Sequence, residues 1–152
     1  MNTNHHIEKT KSEKLKIESN TLVSWQMTER QICDIELILN GSFSPLKGFL
    51  NKADYQSVLN KMRLSDGSLW PIPITLDVPK IFSDGLKINQ KIALKDMEGF
   101  SIAILKIEDI WEPDLEEESV KVYNTINCEH PAVNFLLKNS NKVYLGGALE
   151  KV

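Results

Sequence analysis

Glu116, Glu117 and Glu118 form the densest run of acid–base or cation-binding side chains in this sequence. Carboxylates share a proton or hold a divalent cation only when they converge. Successive residues of a helix point about 100° apart, so three in a row diverge. Asp114 just before them fits a helix N-cap, and acidic residues suit the positive end of a helix dipole. Capping and solvation are therefore expected of this run, rather than a metal site. His5-His6 lies in a polar segment and is expected to be solvated, not a ligand pair. His130, the only other histidine, precedes Pro131 and suits a cap or surface position; no histidine acid–base pair can be assembled from it. Cys33 and Cys128 are too far apart in sequence for a zinc knuckle or redox pair. Cys33 falls in an apolar helical pattern and is expected to be a buried thiol. Gly146-Gly147 would let a ligand approach the backbone, but a bulge or bend is the commoner use. Neither a Gly-x-x-x-x-Gly-Lys-Ser/Thr phosphate loop nor a Gly-x-Gly-x-x-Gly fingerprint is present.

The elements that would position these residues are well signalled. Thr28 and Gln31 form a capping box, with Met27 and Ile32 as its staple. Ile32, Ile35, Ile38 and Leu39 then draw an apolar stripe, and Gly41 supplies the stop, which predicts a helix over 29–40. Asp34 and Glu36 fall on its solvent side. A second helix begins at Asn51, with Tyr55, Val58, Leu59 and Met62 as its buried face. Ser65-Asp-Gly-Ser68 is a turn. The stretch 71–78 alternates, with Ile72, Ile74, Leu76 and Val78 on one face, and Pro73 makes it an edge or bulged strand. Strands are predicted over 91–95 and 100–107, joined by the hairpin turn Asp96-Met-Glu-Gly99. The apolar run 102–105 is placed centrally in the sheet. A short helix follows Asp114, another starts at Pro131, and 142–149 is a strand broken at Gly146-Gly147.

These elements lack strand–helix alternation, which argues against a doubly wound parallel sheet. An α+β, β-rich fold is expected: a small, partly closed β-barrel decorated with short helices. The chain of 152 residues fits one domain, with residues 1–20 as a flexible polar tail and 21–152 as the folded part. The net charge of −3 disfavours a general nucleic-acid or anionic-membrane surface. No apolar run approaches membrane-spanning length, and two cysteines give no sign of an oxidising compartment, so a cytoplasmic location is expected.

The loop 41–51 stands apart. Phe43, Leu46, Phe49 and Leu50 are too apolar for a freely solvated connection. They either fold into the domain's own core or prepare a surface for another domain. Phe43, Ser44, Pro45, Leu46, Lys47, Gly48 and Phe49 are the candidate interdomain contact.

At this loop the sequence resembles a known family. Trp25-Gln-Met-Thr-Glu-Arg-Gln31, Asp34-Ile-Glu-Leu-Ile-Leu-Asn-Gly41 and Phe43-Ser-Pro-Leu-Lys-Gly-Phe-Leu50 are similar to the N-terminal domain of ATP sulfurylase (sulfate adenylyltransferase). The likeness runs through Met62-Arg-Leu-Ser-Asp-Gly-Ser-Leu-Trp-Pro-Ile-Pro-Ile-Thr-Leu-Asp-Val78, His130-Pro-Ala-Val133 and Val143-Tyr-Leu-Gly-Gly-Ala-Leu-Glu150. It covers about residues 22–150. The resemblance implies a PUA-like barrel in an enzyme that joins ATP and sulfate into adenosine 5′-phosphosulfate and pyrophosphate. It also implies that catalysis belongs to a following domain carrying Gln-x-Arg-Asn-Pro and His-x-x-His, neither of which occurs here. This chain is then expected to be a non-catalytic structural domain, inactive alone, with no cofactor of its own. ATP and sulfate would bind the catalytic domain, absent from this sequence, which would be the partner in cis or in trans. A homo-oligomer formed through the full enzyme is compatible with this. The alternatives are a freestanding PUA-like RNA-binding module, against which the acidic pI counts, and an in-trans regulator of a full-length sulfurylase.

Overall fold

The computed structural model describes the backbone of residues 3–152 and the side chains of residues 10–152. His5 and His6 therefore lie outside the described side chains. The helices are α1 (Thr3–Ser19), α2 (Glu29–Leu39), α3 (Lys52–Lys61), α4 (Lys80–Ser83), α5 (Leu115–Tyr123) and α6 (Pro131–Asn134), the last continued by a π-helical turn, Phe135–Asn139. The strands are β1 (Ser24–Gln26), β2 (Gly48–Phe49), β3 (Leu76–Val78), β4 (Lys91–Lys95), β5 (Ser101–Trp111) and β6 (Val143–Lys151). Their order is β1-β4-β5-β6-β2, with β3 also paired to β6. β1 runs parallel to β4, whereas β4–β5 and β3–β6 are antiparallel.

The expected partly closed barrel is not what forms. The sheet is α+β in context and mixed in direction, but open: its path ends at β1 and β2, and these two do not pair. Closure needs tilted strands with a sustained stagger. Strands of 3, 2 and 3 residues at β1, β2 and β3 supply too short a ladder for that.

The chain divides into two units. The first comprises the segment ending at Gly48, Asn89–Ile107 and Gly147–Val152. Here β4 and β5 form the predicted hairpin. The Asp96 carboxylate accepts the Glu98 and Phe100 N–H groups at 3.0 and 2.9 Å, and Gly99 takes φ 92. Ile92, Ala93, Leu94, Ala103, Ile104 and Leu105 are fully buried, which places 103–105 centrally, as the apolar run implied. The capping box of α2 is present, and Gln31 does more than cap. Its buried side-chain oxygen accepts from Thr28 N at 3.1 Å and from Trp25 Nε1 at 2.9 Å. Removing an acceptor that serves two donors costs about 1–3 kcal/mol. Gln31→Ala is expected to lower stability by that amount, read as a reduced urea midpoint at unchanged m-value.

The segment expected as a tail is helical over Thr3–Ser19; Leu15 and Ser19 are buried, and Glu18 pairs with Lys91 at 3.4 Å. Its apolar content is small, but Leu15 and Ser19 lie four apart on one helix face. Cys33 is exposed, not buried. The inner face of α2 is Gln31, Ile35 and Ile38, and Cys33 lies two residues off that stripe, on the other side. Of the pair expected at the solvent face, Glu36 is exposed and Asp34 half-buried.

The second unit comprises Phe49–Ile88 and Glu108–Gly146. Asn51 caps α3, and Asp114 caps α5 by accepting Glu117 N–H at 3.1 Å. α3 and α5 pack on each other, and Lys121 Nζ donates to Asn60 Oδ1 at 2.6 Å. The strand predicted over 71–78 shrinks to Leu76–Val78, which pairs with Val143–Leu145. Ile74, Leu76 and Val78 are buried but Ile72 is not, because Pro71 and Pro73 cannot donate to a ladder. Met62, placed on the buried face of α3, is instead its exposed C-cap with φ 54.

Candidate functional site

The loop after α2 folds back on the helix end. Gly41 takes φ 85, Phe43 N–H donates to Leu37 O at 3.0 Å, and Leu46 N–H donates to Phe43 O at 2.9 Å. Phe43 and Leu46 are half-buried, whereas Ser44, Pro45 and Lys47 are exposed. Gly48 and Phe49 are buried in β2, and Leu50 in the second unit's core. The seven candidate residues thus split into a run, 43–47, in which Phe43 and Leu46 are half-buried and the other three exposed, and two residues held inside.

What holds them is a close backbone crossing. Within the first unit, Leu149 N–H donates to Lys47 O at 2.9 Å, and a Cβ on Gly48 would lie 1.9 Å from Gly147 O. Within the second unit, a Cβ on Gly146 would lie 2.3 Å from Leu50 O and 2.6 Å from Asn51 Cα. The glycine pair does not break β6, which runs unbroken from Val143 to Lys151. Gly48 and Gly146 each admit neighbouring backbone that a side chain at their position would exclude.

The carboxylate run contains a residue that capping does not explain. Glu116 and Glu117 are exposed, but Glu118 is only 6% exposed. Its Oε1 accepts from the Tyr55 hydroxyl at 2.6 Å and the Tyr144 hydroxyl at 2.8 Å. Both rings pack with Trp111: Tyr55–Trp111, Tyr55–Tyr144 and Trp111–Tyr144 centroids lie 5.6, 5.5 and 5.7 Å apart, tilted or edge-on. Burial, then the Glu118 charge and the hydrogen bond to it, push both phenols well above the usual tyrosine range. They are therefore neutral donors throughout the ordinary pH range, not bases or nucleophiles. The sequence does carry a signal for this: Leu115 and Val122 mark an inner face, and Glu118 and Ser119 fall between them at helical spacing.

His130 is exposed at the start of α6, makes no side-chain cap, and stacks on Tyr123 with centroids 5.3 Å apart. Among the described residues, no three His, Cys, Asp or Glu side chains converge as a metal site would require. No helix among the described residues is long and apolar enough to cross a membrane.

Comparison with known proteins identifies relatives of this chain. The family described as PUA-like domain matches residues 2–152. A sulfate adenylyltransferase from Kluyveromyces lactis is 50% identical over 143 residues, which is 93% of this chain and 28% of that protein. The Saccharomyces cerevisiae sulfate adenylyltransferase is 47% identical over 135 residues, covering 89% of this chain and 26% of that protein. Among solved structures, a hexameric APS kinase from Thiobacillus denitrificans superposes with a TM-score of 0.71 at 30% identity, over 93% of this chain and 24% of that one. The chain thus spans about a quarter of the length of the relatives it matches.

Proposed function

The chain belongs to the PUA-like domain family and is homologous to the N-terminal region of sulfate adenylyltransferase, and we propose that it serves such an enzyme as a non-catalytic structural domain. The carrying observation is the 50% identity that spans 93% of this chain yet only 28% of a Kluyveromyces lactis sulfate adenylyltransferase. In this reading the rest of such a protein joins ATP and sulfate, and this domain packs against it through Phe43–Lys47. Adenylyl transfer to sulfate brings one anion to the α-phosphate of another, so it needs converging cations and backbone donors. Lys47 is the loop's only cation. Its role here is that of a contact residue at the domain surface, beside exposed Ser44 and Pro45.

The purified 152-residue chain is expected to release no pyrophosphate from ATP in response to sulfate. A coupled pyrophosphate assay with and without sulfate tests this, and sulfate-dependent turnover by the chain alone would overturn the proposal.

A further inference from the structure

Asn40 is the only asparagine in the sequence that is followed by glycine. It is the C-cap of α2, and Asn40, Gly41 and Ser42 are all exposed. Its side chain is closed into a turn, in which Oδ1 accepts the Ser42 N–H at 2.8 Å. That bond draws electron density from Cγ and sets a donor where charge gathers on Oδ1 when a nucleophile adds to Cγ. The nucleophile at hand is the Gly41 nitrogen. Gly41 takes φ 85 and has nothing within 4 Å of where a Cβ would lie, so no side chain shields that nitrogen. Its N–H donates to Ile38 O, but at 3.3 Å, a long bond in the last turn of a helix. Helix ends open at little cost, and rotation about the Asn40 ψ, here −1°, then turns the nitrogen toward Cγ.

Two similar turns lack one part each. Asn127 Oδ1 accepts Glu129 N–H at 3.0 Å, but Cys128 follows it, and its side chain hinders attack by its own nitrogen. Asp66 Oδ1 accepts Ser68 N–H at 2.8 Å ahead of Gly67, which takes φ 92. There the Ser68 side chain and backbone hold the carboxyl below its usual range, so it stays ionised and is a poor electrophile. Only at Asn40 do a carboxamide, this turn and a following glycine coincide.

We propose that Asn40-Gly41 is a site of spontaneous deamidation, with water as the only co-reactant. The Gly41 nitrogen gives up its proton and bonds to Cγ; the Cγ–Nδ2 bond breaks, and ammonia leaves with that proton. Water then opens the cyclic imide at either carbonyl. Breaking its Cγ–N bond leaves aspartate; breaking its backbone C–N bond leaves isoaspartate, with the chain rerouted through Cγ. Either product puts a carboxylate at the C-terminus of α2, where the helix dipole is already negative. Isoaspartate also adds a methylene carbon to the backbone between α2 and Phe43, whose N–H donates to Leu37 O at 3.0 Å. None of this rests on the function proposed above.

The test holds the 152-residue chain in mildly alkaline buffer, folded or unfolded in urea, and maps its peptides by mass spectrometry with fragmentation that separates isoaspartate from aspartate. In the folded chain both acids are expected at position 40, at least about tenfold faster than acid forms at Asn127. Reaction at Asn40 no faster than at Asn127 overturns the proposal. So does a folded-chain rate below about a hundredth of the unfolded-chain rate, because the fold would then shield the site. Aspartate without isoaspartate would mean direct hydrolysis and would overturn the imide route. Asn40→Gln keeps a carboxamide on a longer side chain, which closes the ring far more slowly, and is expected to stay unconverted; conversion as fast as that of Asn40 also counts against it. The urea midpoint should fall as isoaspartate accumulates and hold steady in Asn40→Gln incubated alongside. Equal behaviour of the two would overturn the stated effect on the end of α2.

Discussion

Gly48→Ala is expected to leave little folded protein. The added methyl carbon would sit 1.9 Å from Gly147 O and 2.8 Å from Ala148 Cα, both backbone atoms. A side-chain neighbour could rotate away, but a backbone oxygen in a strand can move only with the strand. Gly146→Ala meets the same obstacle at 2.3 Å from Leu50 O and 2.6 Å from Asn51 Cα. Overpacking of a well-packed core costs about 1–3 kcal/mol where neighbours can shift, and more where they cannot. A loss of at least about 4 kcal/mol is therefore expected for each, a large part of a domain's total stability of about 5–15 kcal/mol. Gly67→Ala separates this effect from a general intolerance of glycine replacement. Gly67 takes φ 92 with nothing within 4 Å of a new Cβ, so only the left-handed strain of about 1–2 kcal/mol applies. Urea unfolding of the three variants checks the order. A Gly48→Ala protein as stable as Gly67→Ala would mean that the crossing is not close.

The same glycines show how far sequence could be followed. Their presence was plain, and so was the rule that glycine permits close approach, but which backbone approaches is a long-range fact. Residues 48–51 and 146–148 lie far apart in the chain, and no local periodicity links them. Local signals fared better. Thr28 and Gln31, Asn51, Asp114 and the Asp96–Gly99 turn all took the roles their residue types dictate, because caps and turns depend on neighbours a few residues away. Barrel closure failed for the opposite reason: it depends on strand length and on which edges meet, and β1, β2 and β3 proved too short. Cys33 failed because the stripe Ile32, Ile35, Ile38 and Leu39 implied an inner face that includes it, whereas Gln31, Ile35 and Ile38 form the inner face and Cys33 lies across the helix from them. Of the candidate contact loop, apolar content marked residues 43–50 as unusual. It could not separate Phe49 and Leu50, which fill cores, from Phe43–Lys47, which are half-buried or exposed.

Glu118→Ala should be the most damaging side-chain truncation in the second unit, and the reason can be taken apart by pH. The carboxylate accepts from two phenols that are 1% and 2% exposed, so its removal leaves both hydroxyl protons without this acceptor where water does not reach, although Tyr144 keeps its hydrogen bond with Thr75. Hydrogen bonds to a charged group are worth about 1.5–3 kcal/mol each, which puts the expected loss near 3–5 kcal/mol. Glu118→Gln keeps an acceptor at the same place without the charge and should recover part of that. Tyr55→Phe removes one of these bonds, with an expected loss of about 1.5–3 kcal/mol, and Tyr144→Phe removes the other together with the hydrogen bond to Thr75. The tyrosines add a signature at high pH. Unfolded, they release protons near 10.0; folded, burial and the neighbouring carboxylate hold those protons to higher pH. Above about pH 10 the folded chain therefore binds more protons than the unfolded one, and stability falls as pH rises, by up to about 1.4 kcal/mol per pH unit for each tyrosine. Below that pH the contribution is fully present. Urea midpoints measured between pH 9 and 11.5 should bend downward, and the bend should be shallower in Tyr144→Phe and shallower still in the double Tyr→Phe variant. If all three proteins lose stability in parallel, the phenols are not holding their protons against a buried charge.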